Sequence, residues 1–192
     1  MATFRRFRCD DLNKLSKCNL DPLTETYDLS FYLSYYAKWP QLFEVCEDRH
    51  GNILGYIMGK LESSPDEFQG SERYLPWHAH ITAVTVAPEA RRMGIGKLLT
   101  QRLEAVADAN NAWFADLFVR RTNQKAITFY RSMGYSVYRV VKDYYGDHST
   151  VKPRRKHWLP YIITPLPMAQ HFERSSKRIG SERCCNRKLY RR

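Results

Sequence analysis

The segment that most constrains this chain is Arg91-Arg92-Met93-Gly94-Ile95-Gly96-Lys97, because of what flanks it. An apolar, β-branched run with Ile81, Val84 and Val86 precedes it, and Leu98, Leu99, Leu103 and Val106 follow at helical spacing. A strand that passes through a glycine turn straight into a helix leaves the first N–H groups of that helix without backbone partners. They point where the helix dipole adds partial positive charge, so the turn is built to hold phosphate. Gly94 and Gly96 carry no Cβ and let a ligand approach the main chain, while Arg91, Arg92 and Lys97 add full charges. The spacing excludes a P-loop, since no Gly-Lys-Ser/Thr closes it. It also excludes a dinucleotide fingerprint, which needs three glycines and a later acidic residue.

Around this turn the periodicities alternate between two and 3.6. Thr3–Cys9 reads as a strand, and Asp10 is a candidate cap for a following helix with Leu12 and Leu15 facing inward. An aromatic helix covers about Ser30–Lys38 and stops at Pro40. Leu42–Glu47 and Ile53–Leu61 read as a hairpin around Gly51, and Trp77–Val86 as a long strand. After the glycine turn a helix runs to about Ala109. Trp113–Val119 is a strand, Asn123–Met133 a helix ended by Gly134, and Tyr135–Tyr145 a last clear strand. The order β-α-α-β-β-β-α-β-α-β predicts an α/β domain with one mixed sheet and helices on both sides.

Charge divides the chain. Residues 147–192 hold 12 Lys/Arg against 3 Asp/Glu, which is most of the net +11, so residues 1–146 are nearly neutral. The expected organisation is a domain over 1–146 and a basic, largely disordered tail over 147–192, with one short strand near Trp158–Leu166. No apolar run reaches the about 18 residues of a membrane span, and the start lacks a signal-peptide core, so the expected location is cytoplasmic and no membrane is expected. The cysteines at 9, 18, 46, 184 and 185 are odd in number and form no Cys-x-x-Cys, which predicts buried, reduced thiols. His78 and His80 form a His-x-His pair without a third metal ligand, so no metal is expected.

Arg91-Arg92-Met93-Gly94-Ile95-Gly96 resembles the Arg/Gln-x-x-Gly-x-Gly/Ala loop with which GNAT-fold acetyltransferases grip the pyrophosphate of acetyl-coenzyme A. Other blocks are similar to the NatB catalytic subunits: Asn19 to Tyr27, Gly55-Tyr56-Ile57-Met58-Gly59-Lys60, Asp116-Leu117-Phe118-Val119-Arg120, Asn123-Gln124, Tyr130, Gly134 to Tyr138, and Tyr144-Tyr145. The resemblance implies the GNAT acyl-CoA N-acyltransferase fold, acetyl-CoA as cosubstrate, and acetylation of protein N-termini that begin with Met followed by Asp, Glu, Asn or Gln. It further implies a large helical-repeat auxiliary subunit, which the aromatic helix Phe31–Trp39 would meet unless those residues are plain core. Nascent protein N-termini and association with ribosomes through the complex follow from the same likeness.

Site residues follow by the same resemblance. Val84, Thr85 and Val86 would bond the pantetheine through their main chain, and Arg91, Arg92, Met93, Gly94, Ile95, Gly96 and Lys97 would hold the diphosphate. Asn123 would bond the pantetheine arm. Tyr130, two helical turns on and facing the same way, would sit near the sulfur as general acid. Glu25, Tyr27, Tyr144 and Tyr145 would line the peptide groove, where Thr82 and Ala83 present backbone groups. His80 is the titratable group of its strand. It is either a hydrogen-bonded sheet histidine, or a contact to the substrate's second side chain and a proton relay through water.

The strand Trp77–Val86 carries no Asp or Glu, and this bears on the acceptor. A lysine amine of pKa about 10.4 is neutral in about one molecule in 2,500 at pH 7, an α-amine of about 7.8 in about one in seven. A strand without a carboxylate base suits the α-amine, although a loop carboxylate such as Glu25 can still enter. After Tyr145 the resemblance lapses: the family continues with an acidic turn and another strand, whereas this chain turns Lys/Arg-rich. Two outcomes stand open: Trp158–Ile163 supplies that strand, or the sheet ends one strand short. Two other readings of the chain are a GNAT enzyme acting on lysine or small amines, and a non-catalytic protein binding RNA or ribosomes through the tail.

Overall fold

The computed structural model describes residues 2–22, 24–71, 74–142 and 158–165, of which 139–142 and 158–165 are described as backbone. Seven strands form one sheet in the order β1-β2-β3-β4-β5-β7-β6. They are β1 Thr3–Arg6, β2 Phe43–Glu47, β3 Ile53–Glu62, β4 His78–Val86, β5 Phe114–Phe118, β6 Ser136–Lys142 and β7 Trp158–Pro165. The helices are α1 Ser16–Asn19, α2 Leu29–Lys38, α3 Ile95–Ala109 and α4 Gln124–Ser132. β4 and β5 run parallel and the other neighbours antiparallel. None of the described helices is long and apolar enough to cross a membrane.

Local chemistry sets the helix ends. The Asp28 carboxylate accepts from the Phe31 N–H at 2.8 Å to start α2, and Pro40 follows its end. Asn123 Oδ1 accepts from the Ala126 N–H at 3.1 Å to start α4. Gly94 caps α3 at φ +80°, a left-handed conformation costly for any residue with a Cβ. The expected cap Asp10 is exposed, and Asp11 does its work instead. Asp11 accepts from the Arg8 N–H at 2.8 Å and from both Arg5 guanidinium arms at 2.7 and 2.8 Å, which fastens β1 to the 3-10 turn Cys9–Lys14.

Both faces of the sheet are covered, as alternation in β3 requires. Ile57 and Leu61 point into a core with Leu99 and Leu103 of α3 and Ile127 and Tyr130 of α4. Tyr56 and Met58 point the other way, among Phe7, Leu15, Tyr32, Tyr35 and Phe43. Each such buried side chain contributes about 1.5–3 kcal/mol. Tyr32 and Tyr35 of the aromatic helix are therefore core, while Leu29 and Leu33 on the same helix are exposed. Cys18 and Cys46 are buried thiols, but Cys9 is exposed, contrary to expectation, because it opens a surface turn.

The sheet does not end at residue 146. β7 enters between β5 and β6 and pairs with both, so the strand near Trp158 fills the place that the resemblance left in doubt. Its prolines explain why periodicity alone undersold it. Pro160 faces Val140 of β6 and lies past the end of the β5 pairing, and Pro165 faces Phe114 of β5 and lies past the end of the β6 pairing. Each proline thus sits where the strand is paired on one side only, the position a residue without an N–H tolerates. The remainder of the expected tail lies outside the described residues.

Candidate active site

The site begins with a register slip. β3 and β4 pair Met58 with Ala83 and then Gly59 with Ile81, which leaves Thr82 as an extra residue in β4. A bulge of this kind bends its strand. β4 pairs with β5 over Ala79–Ile81 and Ala115–Leu117, and the pairing stops where the bulge begins. From Thr82 onward β4 leaves β5, and a cleft of about 590 Å³ opens between them. Gly59 makes the bend possible: a Cβ there would stand 2.7 Å from Leu103 Cδ1 and 2.9 Å from the His80 carbonyl oxygen.

Nine of the residues singled out from the sequence meet at this cleft. Glu25, Tyr27, His80, Thr82, Ala83, Val84, Thr85, Asn123 and Tyr130 all line it. Val86, the last residue of β4, and the turn Arg91–Lys97, which leads into α3, lie outside the lining. Arg91 is tied back, donating to Asp21 at 2.6 Å and to the Val86 carbonyl at 3.1 Å, whereas Arg92 and Lys97 are exposed. Tyr144 and Tyr145 lie outside the described residues.

The segment 24–27 is pinned over the bent strand. Thr24 Oγ1 lies 2.8 Å from Thr85 Oγ1, the Tyr27 hydroxyl donates to the Thr82 carbonyl at 3.3 Å, and Arg120 donates to Glu25. The Tyr27 ring stacks on Phe31 at 4.4 Å, and the Thr82 hydroxyl donates to the Tyr35 hydroxyl at 2.9 Å. Tyr130 enters from α4 and is buried at 4% exposure. Burial, with Glu104 nearby adding to it, pushes its phenol well above the usual range, so it stays protonated at neutral pH.

Of the two readings of His80, its contacts unite parts of both. It is hydrogen bonded within the sheet, with Nδ1 2.6 Å from Asp116 Oδ1, and it also lines the cleft. Sequence reading assigned no role to Asp116, Arg120, Thr24 or Tyr35. The parallel register that sets His80 opposite Asp116 was the missing signal, since pairing between β4 and β5 cannot be read from either strand alone. Among the described residues, no group of three or more His, Cys, Asp or Glu side chains is arranged to hold a metal ion.

A mixed sheet parted by a bulge in β4, with a left-handed glycine turn leading into α3, defines an acyl-group transferase of the GNAT class. The acetyltransferase (GNAT) family matches residues 12–135. The N-terminal acetyltransferase B complex catalytic subunit naa20 of Schizosaccharomyces pombe is 47% identical over 149 residues, covering 77% of this chain and 78% of that protein. Naa20 of Chaetomium thermophilum, solved with a bisubstrate analogue, superposes with a TM-score of 0.82 at 70% identity, covering 89% of this chain and 90% of that one. A chain of a NatB acetyltransferase complex bound to CoA and MES gives 0.72 at 36% identity, covering 86% and 99%. The chain belongs to the family of NatB catalytic subunits and is an N-terminal acetyltransferase.

Proposed function

We propose that this chain transfers acetyl from acetyl-CoA to the α-amine of polypeptides that begin Met-Asp, Met-Glu, Met-Asn or Met-Gln. The observation that carries this reading is the composition of the cleft. Among its lining residues the single carboxylate is Glu25, and Arg120 engages it. A cleft without a spare carboxylate base favours an amine already partly neutral at pH 7.

The donor fits the residues present. The cleft volume of about 590 Å³ is in the range of small-molecule sites. The left-handed Gly94 turns the first N–H groups of α3 outward beside the exposed Arg92 and Lys97, as a diphosphate requires. In this reading the turn Arg91–Lys97 holds the diphosphate, and main-chain groups of Val84, Thr85 and Val86 bond the pantetheine as an added strand would. Asn123 keeps its amide nitrogen for the same arm, since its oxygen caps α4. Holding donor and acceptor together supplies most of the acceleration. The amine nitrogen forms its bond to the acetyl carbon, the carbon–sulfur bond breaks, and the Tyr130 hydroxyl gives its proton to the departing thiolate. His80 takes one proton from the ammonium through water, and the second proton, which the nitrogen loses as the amide forms, restores the Tyr130 hydroxyl.

Glu25 and Tyr27, with Tyr144 and Tyr145, line the peptide side, and Thr82 and Ala83 present main-chain groups to it. A second residue accepted as acid or amide asks for hydrogen-bond donors rather than a full countercharge, which tyrosine hydroxyls and His80 supply. Leu29 and Leu33, exposed on α2 at 60% and 37%, suit a covering partner. This supports a helical-repeat auxiliary subunit, through which the enzyme reaches nascent chains on the cytoplasmic ribosome. The test is a peptide panel with acetyl-CoA, with and without that partner. Rates on the four named N-termini should exceed those on Met-Leu and Ser-initiated peptides by at least tenfold, and equal rates across the panel would overturn the assignment.

A further inference from the structure

Asp and Asn, like Glu and Gln, match in size and shape and differ by one charge. A cleft that takes both must therefore supply hydrogen bonds without a large net field. An unbalanced cation would favour the acid, because a charge-assisted hydrogen bond is about twice as strong as a neutral one. Among the described residues that line the cleft, Lys60 and Arg120 carry a formal positive charge. Each meets a carboxylate: Arg120 donates to Glu25, and Lys60 Nζ lies 2.6 Å from Glu62 Oε2.

The fold builds both pairs at the cleft. Lys60 and Glu62 are two residues apart on β3 and so share a face, and Lys60 stands opposite His80 in the β3–β4 register. Glu62 lines a second cavity of about 220 Å³, which shares His80 and Phe118 with the cleft, so its charge acts from outside the cleft wall. Arg120 follows β5 by two residues, and Glu25 belongs to the segment held over the bent strand, so this pair joins two elements that border the cleft. All four side chains are partly exposed. Pairs exposed this far add little stability, yet the balance of charge they leave sets the field inside the cleft.

We propose that Glu25 and Glu62 set the acceptor specificity of the cleft by cancelling the charges of Arg120 and Lys60, and that this cancellation admits an amide beside an acid at the substrate's second position. The inference rests on the acceptor reading given under Proposed function and supplies its electrostatic cause. Without the two carboxylates the cleft would select Met-Asp and Met-Glu and turn away Met-Asn and Met-Gln. Without the two cations the order would reverse, since a bare carboxylate repels an acidic side chain and leaves the amide in place.

The full chain with its auxiliary subunit is assayed at neutral pH for kcat/KM on Met-Asp, Met-Asn and Met-Leu peptides of otherwise identical sequence. The readout is the Met-Asp to Met-Asn ratio within each variant, so a general loss of activity cancels. Glu25→Gln and Glu62→Gln each leave one cation unbalanced and should each raise the ratio about 3- to 10-fold at low salt. Arg120→Gln leaves Glu25 unbalanced and should lower the ratio by about the same factor. The double variant Glu25→Gln with Arg120→Gln is balanced again and should return to the wild-type ratio. Added salt should shrink every shift. Glu62 lies outside the cleft lining, so its variant decides the matter if Glu25→Gln proves inactive. A wild-type ratio in Glu62→Gln, or a shift of the same sign in Glu25→Gln and Arg120→Gln, overturns the charge balance. A wild type that acetylates Met-Leu as fast as Met-Asp and Met-Asn fails the acceptor reading, and this inference with it. A wild type that keeps its preference over Met-Leu while no variant moves the ratio fails this inference alone.

Discussion

Gly96→Asp should move fold stability and coenzyme affinity in opposite directions. A Cβ at Gly96 meets Phe129 Cζ and Val86 Cγ2 at 3.6 Å, an ordinary contact, and its φ lies outside the left-handed region that Gly94 occupies. Position 96 is the second residue of α3, where a carboxylate meets the positive end of the helix dipole. Relief of glycine's helix penalty and that dipole contact each contribute about 0.3–1 kcal/mol. The unliganded variant should hold its Tm or gain about 2–4 °C. The same carboxylate faces the diphosphate. At about 5 Å and an effective dielectric of about 20 the repulsion is about 3 kcal/mol, and solvent screening reduces it to about 1–2 kcal/mol. Affinity for acetyl-CoA should therefore fall about 5- to 30-fold. Calorimetric titration gives the affinity, and thermal melts with and without acetyl-CoA give the stability. An unchanged Tm together with wild-type affinity would refute the cradle. A fall in both quantities would show that Gly96 serves folding and not phosphate.

Other outcomes follow from the same geometry. Tyr130→Phe keeps the buried ring, so melting should change little, while kcat falls about 100-fold or more at unchanged KM for acetyl-CoA, read by steady-state kinetics. Tyr135 donates to Glu104 Oε1 at 2.6 Å, and burial already holds the Glu104 carboxyl above its usual range. Tyr135→Phe should cost about 1–3 kcal/mol at neutral pH. A carboxyl raised in the folded state binds more protons folded than unfolded, so that deficit should shrink as pH falls through the carboxylate range, in denaturant titrations at several pH values. A chain ended after Gly146 lacks β7 and bares the facing edges of β5 and β6, so it should aggregate, whereas one ended after Pro165 should melt cooperatively.

Legibility tracked the range of the interactions. The glycine turn, the hairpin and the capped helices α2 and α4 are local, and periodicity with cap chemistry located them within a few residues. Glu25, Tyr27, Thr82, Ala83, Asn123 and Tyr130 were named from the family likeness and His80 as the titratable group of its strand, and all seven line the same cleft. What stayed hidden depends on pairing between distant segments. At the bulge Gly59 of β3 leaves room for Leu103 of α3 and for the His80 carbonyl of β4, and no pattern within Trp77–Val86 announces it. Asp116 is the one polar residue of its strand, and only the parallel register sets it opposite His80, with His78 3.3 Å from its other oxygen. β7 was obscured by Pro160 and Pro165, which break the strand pattern in sequence and yet fall where pairing is one-sided. Asp11 and Asp10 are indistinguishable as caps in the sequence, and only the reach of Arg5 selects between them.

The central claim is that the bent strand and the glycine cradle present a thioester to an α-amine. Its most direct test is a single peptide that carries a free N-terminal Met-Asp and an internal lysine, incubated with the enzyme and isotopically labelled acetyl-CoA and then mapped by tandem mass spectrometry. The label should sit on the α-nitrogen of the methionine alone. Label on the lysine side chain, with the N-terminus left free, would contradict the account.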